Sequence, residues 1–245
     1  MSKRTALIVP CYNEEKRLAP QHFLDFVLTS DSIDLWFIND GSTDGTWSLI
    51  QSMAAQKPGR IIARNLSENQ GKAGAIRSCF QMVYETGTYT YVGYIDADLS
   101  APLQEVLPLQ EQIQKDLYYI VAGCRIKMAG RTIERTMMRH YFSRIFATYY
   151  SQLLDVHNYD TQCGLKLFQI SFAINLFEKP FVSRWLFDLE IFLRAKILLG
   201  EEGYAKKIVE VPLQEWKEVG GSKLRWFDFF KAPWEVLKIY WRYRR

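Results

Sequence analysis

The chain has 245 residues, a formal net charge of +4, 48% hydrophobic and 24% charged residues. That is enough for one large domain or two small ones, and the balance excludes a disordered or fibrous chain. No run of about 18 apolar residues and no basic-then-apolar N-terminus occurs, so a soluble, cytoplasmic protein is expected. The four cysteines, Cys11, Cys79, Cys124 and Cys163, lack Cys-x-x-Cys spacing, which argues against both a zinc site and a disulfide framework.

Taken in chain order, short β-type runs alternate with helix-length amphipathic stretches. Strands are predicted near 5–10 (TALIVP), 34–39 (DLWFIN), 60–64 (RIIAR), 91–96 (YVGYID) and 118–123 (YYIVAG). Helices are predicted between them, at about 20–29, 45–56, 71–86 and 102–115. Such alternation implies a mostly parallel sheet covered on both faces, with ligands beyond the carboxyl ends of its strands.

After residue 125 the pattern changes. A long helix is predicted over about 130–155, with Met138, Phe142, Ile145 and Tyr149 on one stripe and Arg131, Arg135 and Arg139 on another. CGLKLFQI (163–170) reads as a returning strand, FDLEIFLRAKILLG (187–200) as a helix ended by Gly200, and KKIVEVPL (206–213) as a further strand. No repeat or low-complexity segment appears. The expected organisation is a catalytic α/β domain over 1–215 and a basic, aromatic, amphipathic helical extension over 216–245.

Four loops carry chemistry, and the first two fall at the same edge of the predicted sheet. IVPCYNEE (8–15) ends the first strand, and INDGSTDGT (38–46) ends the second with Asp40 at its tip. Each also fits a plain solvated loop in which Asn13 or Asp44 starts a helix. NQGKAGAIRS (69–78) places glycines and Lys72 at a helix start, where free N–H groups and the helix dipole favour phosphate. It lacks Walker spacing, which argues against a P-loop ATPase. In DADLS (96–100), Asp96 and Asp98 follow an apolar strand, and a carboxylate beside a core is costly unless something positive meets it. Two readings fit: a Mg²⁺ or Mn²⁺ site completed by a diphosphate, or a turn in which both aspartates cap the next helix.

In this order, VPCYNEE, NDGSTDGT, NQGKAGA, DADLS and DTQCGLKLF (160–168) resemble the family 2 inverting glycosyltransferases. Within them the chain is similar to the polyprenyl- or dolichyl-phosphate sugar transferases, of the dolichyl-phosphate β-glucosyltransferase type. DTQCGLKLF and EWKEVGGSKL (215–224) are the more subfamily-specific stretches, and the likeness covers about residues 5–225. The resemblance implies a Rossmann-like GT-A fold, a nucleotide-diphospho-sugar donor with UDP favoured, Mg²⁺ or Mn²⁺, and a lipid-phosphate acceptor. It would place Pro10, Tyr12 and Glu14 along the nucleotide, Asp40 on the base and Lys72 near the phosphates. Asp96 and Asp98 would hold donor and metal, Asp98 being the surer ligand. Ser100 stands where some relatives carry a glutamine, which puts a third side-chain ligand in doubt. Arg125 matches an arginine that meets phosphate.

Asp188 in LFDLEIF stands where many family members carry a base; it also fits a helix cap, with Glu190 facing solvent or an arginine. A sugar hydroxyl as acceptor would need that base, whereas a lipid phosphate arrives ionised. Arg131, Arg135 and Lys223 are the candidate acceptor-phosphate contacts. In the tail, Trp226, Phe230, Trp234, Leu237 and Trp241 recur at helical spacing with Lys231, Lys238 and Arg242 between them. Basic residues interleaved with aromatics at one end fit a membrane surface at least as well as nucleic acid, and imply peripheral binding on the cytoplasmic face; the same stripe also fits a helix packed on the domain.

Overall fold

Thr5–Cys11 (β1) is apolar almost throughout and buried on both faces, as a strand in the middle of a covered sheet must be. The structure, a computed structural model, describes residues 3–134, 148–219 and 226–244. β1 pairs in parallel with Ile33–Asp40 (β2) on one side and Tyr91–Tyr94 (β4) on the other, and β2 pairs with Ile61–Leu66 (β3). Helices Pro20–Thr29 (α1), Thr46–Gln56 (α2) and Gly71–Glu85 (α3) make the crossovers, α1 opening on a proline whose missing N–H costs nothing there. A single 3₁₀ turn, Leu103–Glu105, leads into Val106–Ile113 (α4) and then Ile120–Cys124 (β5).

The returning strand, Lys166–Gln169 (β7), runs antiparallel between β4 and β5, and Ile208–Pro212 (β8) lies parallel to β5 at the edge. The sheet order is β3-β2-β1-β4-β7-β5-β8. Alternation along β1 sends Ala6 and Ile8 into one core layer and Leu7 and Val9 into the other. The first layer also takes Phe168, Phe187 and Phe192, from β7 and from Phe187–Lys207 (α7). Gly200, at φ 68°, interrupts α7 where the sequence predicts a stop, and a short helical segment follows it.

The helix predicted over 130–155 is corrected at its start. Gly130 adopts φ 78°, and Thr132–Glu134 (β6) forms a two-stranded ribbon with Glu215–Lys217 (β9); helix is present at 148–154 (α5). Arginine and methionine suit a helix, but a distant strand partner and a left-handed glycine override that preference. Met138, Phe142 and Ile145 lie outside the described residues. After β7 come Ile170–Phe177 (α6) and, near the end, Trp226–Tyr243 (α8). The expected boundary at 215/216 falls inside β9, and α8 buries Val236 and Ile239 completely against the first core layer. No helix among the described residues is long and apolar enough to cross a membrane.

Candidate active site

All the motif loops meet at one edge of the sheet. β1, β2, β3, β4, β5 and β8 point their carboxyl ends there, and antiparallel β7 starts there. The chain leaves β1 toward β2 and later returns to β4 on β1's other side, so the gap between the β1 and β4 loops is the switch point where such sheets bind ligands.

Asp96 and Asp98 sit at that point. The positive group facing Asp96 is Lys72, from the first turn of α3, with Nζ 2.5 Å from Oδ1. Burial works against the Lys72 ammonium, but Asp96, Asp188 and Asp98 outweigh it and raise its pKa. The other Asp96 oxygen lies in a notch that only glycine permits: a Cβ on Gly164 would stand 1.9 Å from Oδ2. Asp98 accepts the Ser100 N–H at 3.0 Å and its hydroxyl at 2.8 Å, closing a turn in which Leu99 takes φ 51°. Neither aspartate caps a helix: the 3₁₀ turn and α4 begin at Pro102 and Glu105 without a side-chain cap.

These residues fit a Mg²⁺ or Mn²⁺ ion. The donors are hard carboxylate oxygens, the notch at Gly164 gives Asp96 room, and no cluster of three or more His, Cys, Asp or Glu that could hold a metal occurs among the described residues. A pair of carboxylates suits an ion that takes its remaining ligands from diphosphate and water, not a closed protein cage.

Asp188, 4% exposed, begins α7 beneath this pair. Its Oδ1 accepts Lys166 Nζ at 2.5 Å and also the Tyr94 hydroxyl. Lys166 is fully buried and donates as well to the Cys163 carbonyl at 2.6 Å. A buried ammonium persists only with such partners. Burial, together with Asp188, pushes the Tyr94 phenol well above its ordinary range. Of the alternatives for this stretch, α7 has no side-chain cap at its start, and Glu190 meets an arginine. Glu190 is fully buried, pairs with Arg194 at 2.7 Å and accepts the Tyr243 hydroxyl of α8 at 2.7 Å.

Arg125, just past β5, is held by Asp160 of the DTQCG stretch: Nε and Nη2 each donate at 2.7 Å, and its backbone N–H donates at 3.0 Å. Burial opposes its charge, yet Asp160 prevails and raises the pKa beyond the ordinary arginine value. Arg131 donates to the Pro212 carbonyl at 3.0 Å, which puts it at the ribbon beside the same sheet edge. That ribbon reaches the aspartates, because the Lys217 N–H donates to the Ser100 carbonyl at 2.9 Å. Arg135 and Lys223 lie outside the described residues.

On the β1–β2 side the loops are laced together. Asn13 accepts the Thr43 N–H at 2.9 Å and its own N–H donates to Ser42 at 2.9 Å, while the Glu14 N–H donates to Thr46 at 2.8 Å. Glu14 forms a two-point pair with Arg17 at 2.8 and 2.6 Å. Pro10 is half-buried and Tyr12 exposed above them. Asp40 is buried and binds the neighbouring loop, accepting Gln70 N–H at 2.7 Å and Asn69 Nδ2 at 3.0 Å. Gly41, at φ 66°, lets that loop approach, since a Cβ there would meet Asn69 N at 2.8 Å.

The family model for glycosyl transferase family 2 matches residues 6–177. The chain belongs to that family. A dolichyl-phosphate beta-glucosyltransferase of Trichomonas vaginalis is 32% identical, over 96% of this chain and 72% of the relative, and the Homo sapiens dolichyl-phosphate beta-glucosyltransferase is 28% identical, over 91% and 70%. Among solved structures, glucosyl-3-phosphoglycerate synthase from Mycobacterium tuberculosis, in complex with Mn²⁺, UDP and glucosyl-3-phosphoglycerate, superposes with a TM-score of 0.68 at 14% identity, covering 97% of this chain and 80% of that one. Mannosyl-3-phosphoglycerate synthase from Rubrobacter xylanophilus gives 0.68 at 14% identity, covering 99% and 74%. The fold is of the GT-A type, as the motif order implies.

Four residues of this glycosyltransferase site are not singled out by its motifs. Lys166 carried a signal, a lone charge in the apolar strand GLKLF whose alternation puts it on the Phe168 face, inside the core. Asp160 stands in a quoted motif, but its pairing with Arg125 spans 35 positions. Arg17 lies close enough to Asp98 and Asp96 for both to act on it: burial opposes its charge, but Glu14 and the two aspartates outweigh it and raise its pKa. Arg184 reaches across to the start of α3, donating to the carbonyls of Gln70 at 3.2 Å and Asn69 at 3.1 Å.

Proposed function

We propose that this transferase moves glucose from UDP-glucose to a polyprenyl or dolichyl phosphate, with inversion at the anomeric carbon and with help from Mg²⁺ or Mn²⁺. The observation that carries this reading is Asp96 and Asp98 at the switch point with Lys72 against them. The relatives' names support the glucosyl donor and the lipid-phosphate acceptor, and their likeness runs over most of the chain.

Asp96 and Asp98 would hold the cation, which when bound would neutralise charge on the departing diphosphate. Lys72 and the N–H groups of the first α3 turn add positive potential on the same side. Pro10, Tyr12 and Glu14 line the nucleotide. Asp40 shapes the loop that meets the base, and its carboxylate is already engaged with Asn69 and Gln70. Arg125 uses Nε and Nη2 on Asp160, which leaves Nη1 as the atom that would meet phosphate.

The acceptor side follows from Asp188. Its Oδ1 is committed to Lys166 and Tyr94, an arrangement for a fixed anion that orders cations. A lipid phosphate, which arrives already ionised, needs only such ordered cations and no proton acceptor. Arg131, Arg135 and Lys223 are the proposed contacts to that phosphate. The exposed Trp234 and Trp241 of α8 supply a means to rest on the cytoplasmic face of a membrane.

The deciding experiment is a thermal-shift panel of UDP, GDP, dTDP and CDP, each with Mn²⁺ or chelator, on the wild type and Asp98→Ala. Ligand at about 100 times its Kd stabilises by roughly 2.7 kcal/mol, a shift of about 2–4 °C per kcal/mol for a domain of this size. A Mn²⁺-dependent shift with UDP, absent in Asp98→Ala, is expected. A shift that ignores both chelator and Asp98 would sink the metal–diphosphate assignment.

A further inference from the structure

We infer that Lys72 and the divalent cation are alternative partners of Asp96, and that Asp188 receives the lysine when the cation takes its place. This rests on the metal reading above and adds to it an exchange between two carboxylates of this chain.

The starting point is geometric. Lys72 Nζ lies 2.5 Å from Asp96 Oδ1, in direct contact with a proposed ligand atom. A Mg²⁺ or Mn²⁺ ion bound by that oxygen brings a double positive charge to within about 2–2.6 Å of it. An ammonium at hydrogen-bond distance from the same oxygen then faces strong like-charge repulsion, and it has no lone pair with which to join the ion's shell. That repulsion weakens the lysine's hold on Asp96 and favours its withdrawal.

Its surroundings offer a direction toward Asp188. Nζ lies 5.9 Å from the centre of the Tyr94 ring and 5.6 Å from that of Phe187. Both rings lead to Asp188: the Tyr94 hydroxyl donates to Asp188 Oδ1, and Phe187 is its chain neighbour. An ammonium crosses such faces at little cost because the rings are electron-rich there. Among the described residues Asp188 Oδ2 accepts no hydrogen bond, while Oδ1 is filled by Lys166 and Tyr94. Oδ2 has no donor among the described residues and is open to accept one. Its charge already acts on Lys72, second only to that of Asp96 among the carboxylates.

Lys166 is the positioning residue in this scheme. Fully buried and bonded also to the Cys163 carbonyl, it fixes which Asp188 oxygen is spent. Charge stays balanced throughout. Asp96 exchanges one cation for another, the displaced ammonium pairs with an anion that is otherwise only partly neutralised, and the diphosphate brings the negative charge that offsets the added ion.

The test reads metal binding directly. Free Mn²⁺ is titrated against the full chain without nucleotide and followed by the electron paramagnetic resonance signal of the aquo ion. Lys72→Met, which removes the competing cation, is expected to bind Mn²⁺ about five- to tenfold more tightly than the wild type. Lys72→Arg, which keeps it, should stay near wild type. Lys72→Gln serves as a second neutral variant should Lys72→Met not fold, and a melt with Mn²⁺ alone should show a larger stabilisation in either neutral variant. Equal or weaker Mn²⁺ binding by the neutral variants, with wild type binding Mn²⁺ and UDP normally, overturns the exchange and leaves the metal reading standing. Absence of Mn²⁺ binding to every variant, with and without UDP, overturns both.

Discussion

At the scale of single residues, Gly164 shows how closely the site is built. Its φ is ordinary, so backbone freedom is not why glycine is there; the Asp96 carboxylate is. Gly164→Ala places a methyl group where Oδ2 stands and forces the carboxylate aside, an overpacking that costs about 1–3 kcal/mol. If that cost falls on Asp96, Mn²⁺·UDP affinity measured by calorimetry drops about ten- to a hundredfold. Unchanged affinity would mean that Asp96 does not hold the donor. The Lys166–Asp188 pair gives a second prediction. Lys166→Met leaves a buried carboxylate unpaired and should cost about 3–5 kcal/mol in urea unfolding. The double variant Lys166→Met/Asp188→Asn removes both charges and should recover most of that stability while turnover stays lost. Recovery of turnover along with stability would reduce the pair to packing. Asp96, Asp98 and Lys72 were legible in the sequence because each ends or starts an element at the same sheet edge. That Asp96 and Lys72 pair, and that Asp188 is met by Lys166, was not legible, because those contacts join elements whose spacing only the folded sheet fixes.

Elements behave the same way. Asp44 accepts the Thr46 N–H at 3.1 Å and the Glu15 N–H at 3.2 Å just before α2, whose N-cap is Gly45, so it ties this part of NDGSTDGT to the neighbouring loop of the site. Burial pushes its carboxyl up, but hydrogen bonds from Thr46 and the Glu15 N–H prevail and hold it below the ordinary range. A lowered pKa contributes stability above the unfolded value of about 3.9, and that stability fades as pH falls through the folded value. Asp44→Ala should therefore cost about 0.5–1.5 kcal/mol at pH 7, the net scale of a lost hydrogen bond, and its gap to wild type should narrow near pH 3 in paired urea titrations. A gap of constant size would assign the loss to something other than the ionised Asp44 carboxylate. The strands and crossovers from β1 to β5 were legible because each alternates a buried run with an amphipathic helix, and local pattern and global layering agree. CGLKLFQI could be read as a returning strand for the same reason. The β6–β9 ribbon could not. Three residues, Thr132–Glu134, are too short for a periodic signal, and their partner lies at Glu215–Lys217. The helix pattern that starts near Gly130 outcompeted them on the page but not in the fold.

For the whole molecule, the question is what the C-terminal helix faces. α8 turns Val236 and Ile239, both fully buried, onto the core, and Tyr243 ties it to Glu190 and Arg194. The opposite side exposes Trp234 at 54% and Trp241 at 57%, their rings 5.7 Å apart, with Lys238 exposed between them in sequence. The packed reading of the tail holds on one face, and the other face is a pair of exposed tryptophans with Lys238 nearby, the surface that a membrane contact would use. A tryptophan pair left in water gains by entering a bilayer interface, and each nearby Lys or Arg adds about 1 kcal/mol on an anionic surface. Removing exposed rings leaves folding nearly untouched, within about 0.5 kcal/mol, whereas truncating a docked residue such as Val236 creates a cavity costing on the order of 2 kcal/mol. Trp234→Ala/Trp241→Ala should therefore keep the wild-type melting temperature but lose flotation with anionic liposomes, while Val236→Ala should lower the melting temperature. Wild-type flotation should weaken with added salt, because the cationic share of the attraction is screened within about 10 Å at 0.1 M. If the double variant floats as well as wild type, the tryptophans are not the membrane contact, and the helix serves the domain alone.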